Sequence, residues 1–216
     1  MLDNAPAVQV VRDFPRPSAE SVAAFKGLQT GFVVDAMQGG GTLDYRIKPM
    51  FADQSVLCGV ALTVDAGAAD NLAVVAALEH AQPGDILIVT THGHTGCAVV
   101  GDLVLGMARN NGIAGFVCDG CVRDTRGIRA VGLPCFAMGV SPNTPARNGP
   151  GRIGVPIVVG GIAVAPGDLV VADEDGVVIV PQTRLEATIE RLATVRAAEA
   201  LAEAQVRDGM KKPGWL

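Results

Sequence analysis

Residues 101–124 read GDLVLGMARNNGIAGFVCDGCVRD and contain one complete helix-and-strand unit. The apolar spacing over 102–111 predicts a helix, and Gly112 ends it because glycine readily takes the left-handed conformation found after a helix. Residues 114–118 predict a buried strand, and 120–124 predict the loop at its carboxyl end. Repeated units of this kind indicate parallel strands with right-handed crossovers. Ligands bind beyond the carboxyl ends of such strands, so this loop is a candidate site.

Similar elements flank this unit on both sides. Strands are predicted at 55–65, 86–91, 134–138, 169–172 and 177–180. Helices are predicted at 18–28, 72–80 and 183–207, with a short one from Thr125 onward. The predicted helix caps are Ser18, Asp70 or Asn71, Thr125 and Thr183. Small-residue loops are predicted at 39–41 and 96–101. This alternation of helices and strands predicts an α/β protein.

The length and composition fit a single domain. The chain has 216 residues, of which 49% are apolar, so it can bury a sizeable core without disulfides or a structural metal. Residues 1–17 carry three prolines and predict an N-terminal arm that packs over the body. The body is predicted to span 18–182, and 183–216 are predicted to form a C-terminal helix and tail of the same domain.

The charge and the hydrophobic pattern argue against several classes of protein. The formal net charge of -5 disfavours sequence-independent binding to nucleic acid, which needs a basic face. Residues 1–12 lack a signal-peptide pattern, and no apolar run is long enough to cross a bilayer. The cysteines number five, mostly in apolar surroundings, which indicates reduced thiols and not a disulfide framework. We therefore predict a cytoplasmic protein that is not bound to a membrane.

Three charged residues stand out because their surroundings are apolar and glycine-rich. Asp102 begins a predicted helix, and Arg123 and Asp124 lie in the loop after a buried strand. The separation between Asp102 and Arg123 is the length of one α-β unit, so both can return to the same sheet edge. Two simpler interpretations stay open at this point. Asp102 can be a helix cap, and an Arg-Asp pair in a loop is often only a surface ion pair.

The spacing Asp–x20–Arg–Asp, with glycine directly before the first aspartate, resembles the signature of the 4-hydroxy-4-methyl-2-oxoglutarate / 4-carboxy-4-hydroxy-2-oxoadipate aldolase family. The resemblance extends to DNLAVVAALEHAQPGDILIV (70–89), VGLPCFAMGVSPNT (131–144) and PGDLVVADEDGVVIVP (166–181). It covers roughly residues 18–205 and implies a three-layer swivelling β/β/α sandwich. The superfamily also includes the regulator of ribonuclease activity A, which binds ribonuclease E. A non-catalytic, protein-binding regulator is therefore the alternative to an aldolase.

The chemistry of aldol cleavage narrows the choice of cofactor. Cleavage of a 4-hydroxy-2-oxo acid leaves negative charge on the enolate of pyruvate, so a positive electron sink must be in place. None of the four lysines lies in a buried strand or its carboxyl-end loop, which disfavours a Schiff base. A hard divalent cation, Mg or Mn, is the other solution. Oxaloacetate decarboxylation is an expected side activity, because it passes through the same enolate.

The resemblance also implies roles for individual residues. Asp124 would ligate the metal, Arg123 would hold the substrate oxygens and stabilise the enolate, and Asp102 would orient a water that carries protons. The start of the 102–111 helix would receive the substrate carboxylate, as helix N-termini do for anions. The substrate-binding residues expected there are Gly101, Asp102, Leu103, Val104 and Arg123.

The resemblance further implies an assembly of several chains. It points to homotrimers, or hexamers made of two trimers, with sites between subunits. A glutamate on the C-terminal helix of a neighbouring subunit would reach the site. Glu199 is the matching residue here, with Glu203 as the second choice. A solvated helix face explains these two glutamates equally well.

Two weaker patterns remain. His92 and His94 could be metal ligands at a strand end, but no third ligand is in view, and we expect them instead near the mouth of the site. Cys118 and Cys121 have the spacing of a redox pair. Because they straddle a strand end in mid-chain, two packed thiols are the favoured interpretation.

Overall fold

The structure is a computed structural model that describes residues 7–216. Its strands are β1 (Val8–Val10), β2 (Lys48–Pro49), β3 (Leu57–Asp65), β4 (Asp85–Thr90), β5 (Ala98–Val100), β6 (Gly115–Cys118), β7 (Cys121–Val122), β8 (Cys135–Ala137), β9 (Gly139–Val140), β10 (Gly151–Ile153), β11 (Ile157–Val159), β12 (Ile162–Val164), β13 (Leu169–Asp173) and β14 (Gly176–Val180). Its α-helices are α1 (Ala19–Ala23), α2 (Thr30–Ala36), α3 (Leu72–Ala77), α4 (Asp102–Asn110), α5 (Thr125–Val131) and α6 (Leu185–Arg207). The chain is a mixed α/β domain, which confirms the predicted fold class.

A mixed nine-stranded sheet forms the centre of the molecule. Along its main path the strand order is β1-β10-β3-β4-β6-β8-β2, and β3 also pairs with β13, which pairs with β14. Strands β3, β4, β6 and β8 run parallel, as the crossover pattern predicted. A separate sheet of three short parallel strands has the order β5-β7-β9, and β11 and β12 form a hairpin. The molecule therefore has two sets of parallel strands, each with its own carboxyl edge.

Strand β4 explains how the sheet is buried on both faces. Leu87 and Val89 point into a core shared with α3, α4 and α5, whereas Ile86 and Ile88 point into a second core under the β11-β12 hairpin. All four side chains are 0% exposed. Because successive side chains of a strand face opposite sides, a continuous apolar run is required when both sides are covered.

Several elements differ from the sequence-based expectation. Strand β1 lies in the predicted N-terminal arm, and β7 lies within the predicted loop at 120–124. Helix α2 was not predicted, because it is short and glycine-rich segments flank it; it packs Val33 and Ala36 against a third core beneath α6. The predicted loop at 96–101 contains β5, which has only three residues and so shows no period of its own.

The predicted helix caps are partly correct. Ser18 caps α1 by accepting a hydrogen bond from the Ser21 backbone. At α3 the cap position is Asn71, although it is the neighbouring Asp70 carboxylate that accepts from the Leu72 backbone at 2.8 Å. The predictions of Thr125 and Thr183 as caps were wrong. Asp124 holds the cap position of α5, and a 3-10 turn at Gln182–Arg184 precedes α6 and moves its start to Leu185.

Helix α6 is only half integrated into the domain. Its first part buries Leu185, Thr188 and Leu192 against the third core, whereas residues 196–207 are almost entirely exposed, including Leu201 and Val206. Within residues 7–216 we find no helix with the length and hydrophobicity that a membrane crossing requires.

Candidate active site

A small cleft lies at the carboxyl edge of the β5-β7-β9 sheet. Strand β5 leads through one glycine into α4, and β7 leads into the loop that begins α5, so the starts of two helices converge there. The cavity volume is ≈ 80 Å³. The predicted site residues that line it are Gly101, Asp102, Leu103, Val104, Arg123 and Asp124. The fold thus brings together six residues that were chosen by their spacing and by the family resemblance.

Gly101 makes room for the Asp124 side chain. A β-carbon at position 101 would overlap the Asp124 carboxylate oxygen and would lie 3.3 Å from the Arg123 side chain. The backbone of Gly101 is extended, with φ -133° and ψ -169°, a conformation open to any residue. The glycine is therefore required for space and not for backbone freedom.

The backbone of Asp124 turns its carboxylate into the cleft. Asp124 has φ 58° and ψ 43°, the left-handed conformation, which aspartate tolerates better than most residues. It holds the cap position of α5, yet its side chain makes no capping hydrogen bond. The carboxylate instead lies 3.2 Å from Arg123 Nε and is 45% exposed. Asp124 therefore presents a half-exposed carboxylate whose oxygens are still able to coordinate a ligand.

Arg123 is held at three points. Its backbone N–H donates to the Val100 carbonyl at 3.1 Å, which ties the end of β7 to β5. In the side chain, Nε faces Asp124, and Nη1 donates to the Thr144 hydroxyl at 2.9 Å. The side chain remains 36% exposed, so part of the guanidinium can still meet a ligand.

Asp102 is the first helical residue of α4 and not its cap. Gly101 takes the cap position and has no side chain to cap with, so the backbone N–H groups of Asp102, Leu103 and Val104 have no intrahelical acceptor. The Asp102 carboxylate makes no hydrogen bond to any residue in the range 7–216. It packs against Gly127 of α5, where a β-carbon would overlap it. The capping interpretation therefore lacks support, and the free N–H groups offer a site for an anion.

Three further polar residues, which were not predicted as site residues, line the cleft: Asn71, Thr144 and Arg147. Asn71 donates to the Val99 carbonyl and accepts from Arg147 Nε, both at 3.1 Å. The segment that carries Thr144 and Arg147 reaches the cleft because the backbone carbonyl of Asn143 accepts a hydrogen bond from the backbone N–H of Ala98 in β5. A cluster of polar residues at 141–148 in an otherwise apolar chain was the available signal.

The metal-binding capacity of the cleft fits a hard cation. In residues 7–216 there is no group of three or more His, Cys, Asp or Glu side chains that could enclose a metal ion. Mg²⁺ does not need such a group, because it keeps several waters and uses one or two carboxylates plus substrate oxygens. Asp124 supplies one accessible carboxylate. The donor set therefore fits Mg or Mn and does not fit a closed zinc site.

The remaining sequence candidates lie outside this cleft. Glu199 is exposed on the second half of α6 and does not line it in the same chain. Neither His92 nor His94 lines the cleft, and His92 borders two other grooves, so their place near its mouth stays a prediction. Cys118 and Cys121 are buried, and burial raises the pKa of both thiols, as expected for packed residues.

Fold and cleft together define an α/β protein with a small cleft that contains a free helix start and an accessible carboxylate. The family model described as "RraA-like: Aldolase/RraA" matches residues 30–179, and the chain belongs to this family. It is 37% identical over 189 residues to a protein of Halalkalibacterium halodurans named "Putative 4-hydroxy-4-methyl-2-oxoglutarate aldolase", a similarity that covers 88% of this chain and 90% of that protein.

Solved structures support the same placement. An uncharacterized protein from Pseudomonas syringae pv. tomato superposes with a TM-score of 0.81 at 26% identity, covering 92% of this chain and 93% of that chain. The RNA-processing inhibitor RraA from Thermus thermophilis superposes with a TM-score of 0.66 at 31% identity, covering 71% and 93%. The family thus includes relatives named as aldolases and relatives named as inhibitors of RNA processing.

Proposed function

We propose that this protein is a class II, divalent-metal-dependent aldolase that cleaves small 4-hydroxy-2-oxo acids to pyruvate. Substrates of the 4-hydroxy-4-methyl-2-oxoglutarate or 4-carboxy-4-hydroxy-2-oxoadipate type fit this proposal, and oxaloacetate decarboxylation is the expected side activity. The observation that carries the proposal is the convergence of Asp102, Arg123, Asp124 and the open N-terminus of α4 on one cleft. The name of the Halalkalibacterium relative supports the same reaction.

The cleft can orient a 2-oxo acid by its charges. The free N–H groups of Leu103 and Val104 would receive the substrate carboxylate, because the helix start is positive and its donors have no internal acceptor. Arg123 would donate to the 2-oxo oxygen from the part of its guanidinium that Asp124 and Thr144 leave free. Arg147 would face a second carboxylate at the far end of the substrate.

The reaction moves one proton off the substrate and one back on. The 4-hydroxyl loses its proton, the C3–C4 bond breaks, and the bond's electron pair forms the enolate of pyruvate, which is then protonated at C3. Asp102 has no internal partner, so its carboxylate would hold a water that accepts and returns these protons. Arg123 would stabilise the enolate oxygen. A divalent cation held by Asp124 would add Lewis-acid polarisation of the 2-oxo group.

We also propose that the working enzyme is a homotrimer, or a hexamer of two trimers, and that Glu199 completes the site of a neighbouring subunit. The exposed second half of α6 supports this assembly, since residues 196–207 make almost no contact with their own domain. An exposed helix with Leu201 and Val206 on its surface is better explained when another chain covers it.

A pyruvate-release assay over a panel of 4-hydroxy-2-oxo acids tests the proposal directly. Activity should disappear in excess chelator and return with Mg or Mn, and borohydride added with substrate should not inactivate the enzyme. Full activity in excess chelator would exclude the class II assignment. Absence of pyruvate release from every substrate, with and without metal, would exclude the aldolase itself.

A non-catalytic regulator of ribonuclease E is the second candidate, and the likeness to the Thermus inhibitor supports it. This candidate predicts binding to ribonuclease E and loss of RNA cleavage in its presence, with no pyruvate release. The intact Asp102, Arg123 and Asp124 set favours the aldolase, because a protein-binding surface does not require a confined carboxylate beside a free helix start.

A further inference from the structure

A second charged cluster lies at the carboxyl edge of the main sheet, apart from the cleft on the β5-β7-β9 sheet. Asp65 is the last residue of β3, and His92 follows the end of the neighbouring parallel strand β4. Arg152 lies on β10 directly opposite Asp65. This edge of parallel strands is where ligands commonly bind in open α/β sheets. None of these residues lines the aldolase cleft.

Asp65 holds the other two side chains in place. Its Oδ1 lies 2.8 Å from His92 Nε2, and its Oδ2 accepts from Arg152 Nη2 at 2.6 Å and from Nε at 3.2 Å. Burial by itself would raise the pKa of Asp65, but the hydrogen bonds from Arg152 and His92 outweigh it, so the pKa lies below its ordinary value. The ionised carboxylate therefore fixes the orientation of the imidazole and of the guanidinium.

The imidazole and the guanidinium each keep a nitrogen that Asp65 does not contact. Among residues 7–216, His92 Nδ1 and Arg152 Nη1 have no hydrogen-bond partner. Their side chains are 59% and 53% exposed, whereas that of Asp65 is only 11% exposed. His92 also adopts a left-handed backbone with φ 56°, which costs free energy for a residue with a side chain.

The groove beside this cluster has one polar and one apolar wall. Its volume is ≈ 420 Å³, within the range of small-molecule sites. Asp65, His92 and Arg152 form the polar wall, and the β11-β12 hairpin with Pro156 forms the apolar one. On that hairpin Val158 is 60% exposed although it is aliphatic. The groove thus combines a free guanidinium donor and a free imidazole nitrogen with a hydrophobic surface.

We propose that this groove binds a small organic monocarboxylate, with its carboxylate on Arg152 and His92 and its apolar body on the β11-β12 hairpin. One carboxylate lies between one guanidinium and one imidazole, and the free Arg152 Nη1 and His92 Nδ1 atoms leave a place for one further carboxylate group. A second carboxylate on the ligand would find no free guanidinium here, and an acid without an apolar body would leave the hairpin uncovered. The site does not depend on the aldolase proposal.

Isothermal titration with isovalerate and acetate tests the site, because both probes share the carboxylate and differ in the apolar body. Isovalerate should bind the wild-type protein, acetate should bind at least about tenfold more weakly, and inorganic phosphate should not compete. The informative variants are Arg152→Gln and His92→Asn. Asparagine tolerates the left-handed backbone, so the second variant keeps the local fold. Each should weaken isovalerate binding about tenfold or more.

Two control variants separate this groove from its neighbours. Arg123→Gln removes the guanidinium of the aldolase cleft, and Arg46→Gln removes an exposed arginine that pairs with Asp44 in the adjoining groove. Both should keep the isovalerate affinity unchanged. The proposal is overturned if isovalerate does not bind, or if binding is lost in Arg123→Gln and kept in His92→Asn. It is equally overturned if both cluster variants lower the melting temperature while leaving isovalerate affinity intact, since the cluster would then be a structural tie.

Discussion

The Asp124 carboxylate occupies the space that a β-carbon at Gly101 would take. These two residues lie 23 positions apart, at the cap positions of two different helices, and the missing side chain of one determines where the other can point. The carboxylate proposed to bind the metal can therefore take this position only because residue 101 has no side chain. This relationship makes the position of Asp124 testable without changing Asp124.

Gly101→Ala should displace the Asp124 carboxylate and weaken metal binding. The expected loss of Mn²⁺ affinity is about 10- to 100-fold, the usual range for residues that orient a metal ligand. Gly106→Ala in the same helix is the matched control, because its β-carbon would make only an ordinary contact 3.8 Å from Val131. The control should keep Mn²⁺ affinity and gain about 0.5–1 kcal/mol of stability. Equal Mn²⁺ affinity in both variants would contradict the steric argument.

Arg123→Ala should remove charge that faces the developing enolate. We expect a loss of several kcal/mol of transition-state stabilisation, calculated from the decrease in kcat/KM for pyruvate release. The fold should be retained, because Arg123 lies on a loop. Asp124→Ala should have an effect of similar size and should also abolish Mn²⁺ binding. Arg126→Ala, which removes an exposed arginine three residues after Arg123, should leave turnover unchanged. Near-normal turnover in Arg123→Ala would remove that residue from the site.

Asp102→Asn should separate proton transfer from structure. Asparagine matches the shape of aspartate and serves a helix start equally well, but it does not carry a proton at neutral pH. The melting temperature and Mn²⁺ affinity should stay unchanged, while cleavage falls about a hundredfold or more. Exchange of the methyl protons of pyruvate in deuterium oxide should fall with it. A variant that melts early and still cleaves normally would show that Asp102 supports only the helix.

Thr144→Val should reveal whether the Thr144 hydroxyl positions Arg123. Without that acceptor, the guanidinium is expected to turn further toward Asp124, which lowers its availability to substrate. We expect kcat to fall about ten- to a hundredfold, as for small displacements of a catalytic group, with a smaller change in KM. Thr144→Ser keeps the hydroxyl and should recover most of the activity. If the serine and valine variants behave alike, the hydrogen bond is not functional.

Asp65 should contribute to stability at neutral pH and lose this contribution in acid. Its pKa is lower in the folded state than the ordinary value of 3.8, so below about that pH the unfolded chain binds the proton more readily. The difference in unfolding free energy between wild type and Asp65→Asn should therefore shrink as pH falls through this range, as measured by urea unfolding. Asp53→Asn, which breaks an exposed pair with Arg129, should change stability little at any pH. A constant difference for Asp65→Asn down to the acid transition would contradict the linkage.

Local sequence patterns were sufficient for the central α-β unit and for its charged residues. Helix α4 has a regular apolar face and β4 is a continuous apolar run, so period and length identify both without knowledge of their neighbours. The spacing of Asp102 from Arg123 indicated that both return to one sheet edge; in the structure α4, β6 and β7 fill that interval, and the parallel pairing of β5 with β7 makes it the edge of the small sheet. Local pattern and spacing therefore identified these residues as candidates for one site, and the family resemblance supplied their roles.

Contacts between distant segments account for what the sequence did not reveal. Strand β5 has three residues and no detectable period, so its existence depends on pairing with β7. Thr144 and Arg147 reach the cleft because the segment that carries them forms backbone hydrogen bonds with β5 and with residues 69–71, more than 40 residues earlier in the chain. The cluster of Asp65, His92 and Arg152 joins three strand ends in the same way. No local period encodes these contacts, because they depend on which strands become neighbours in the folded sheets.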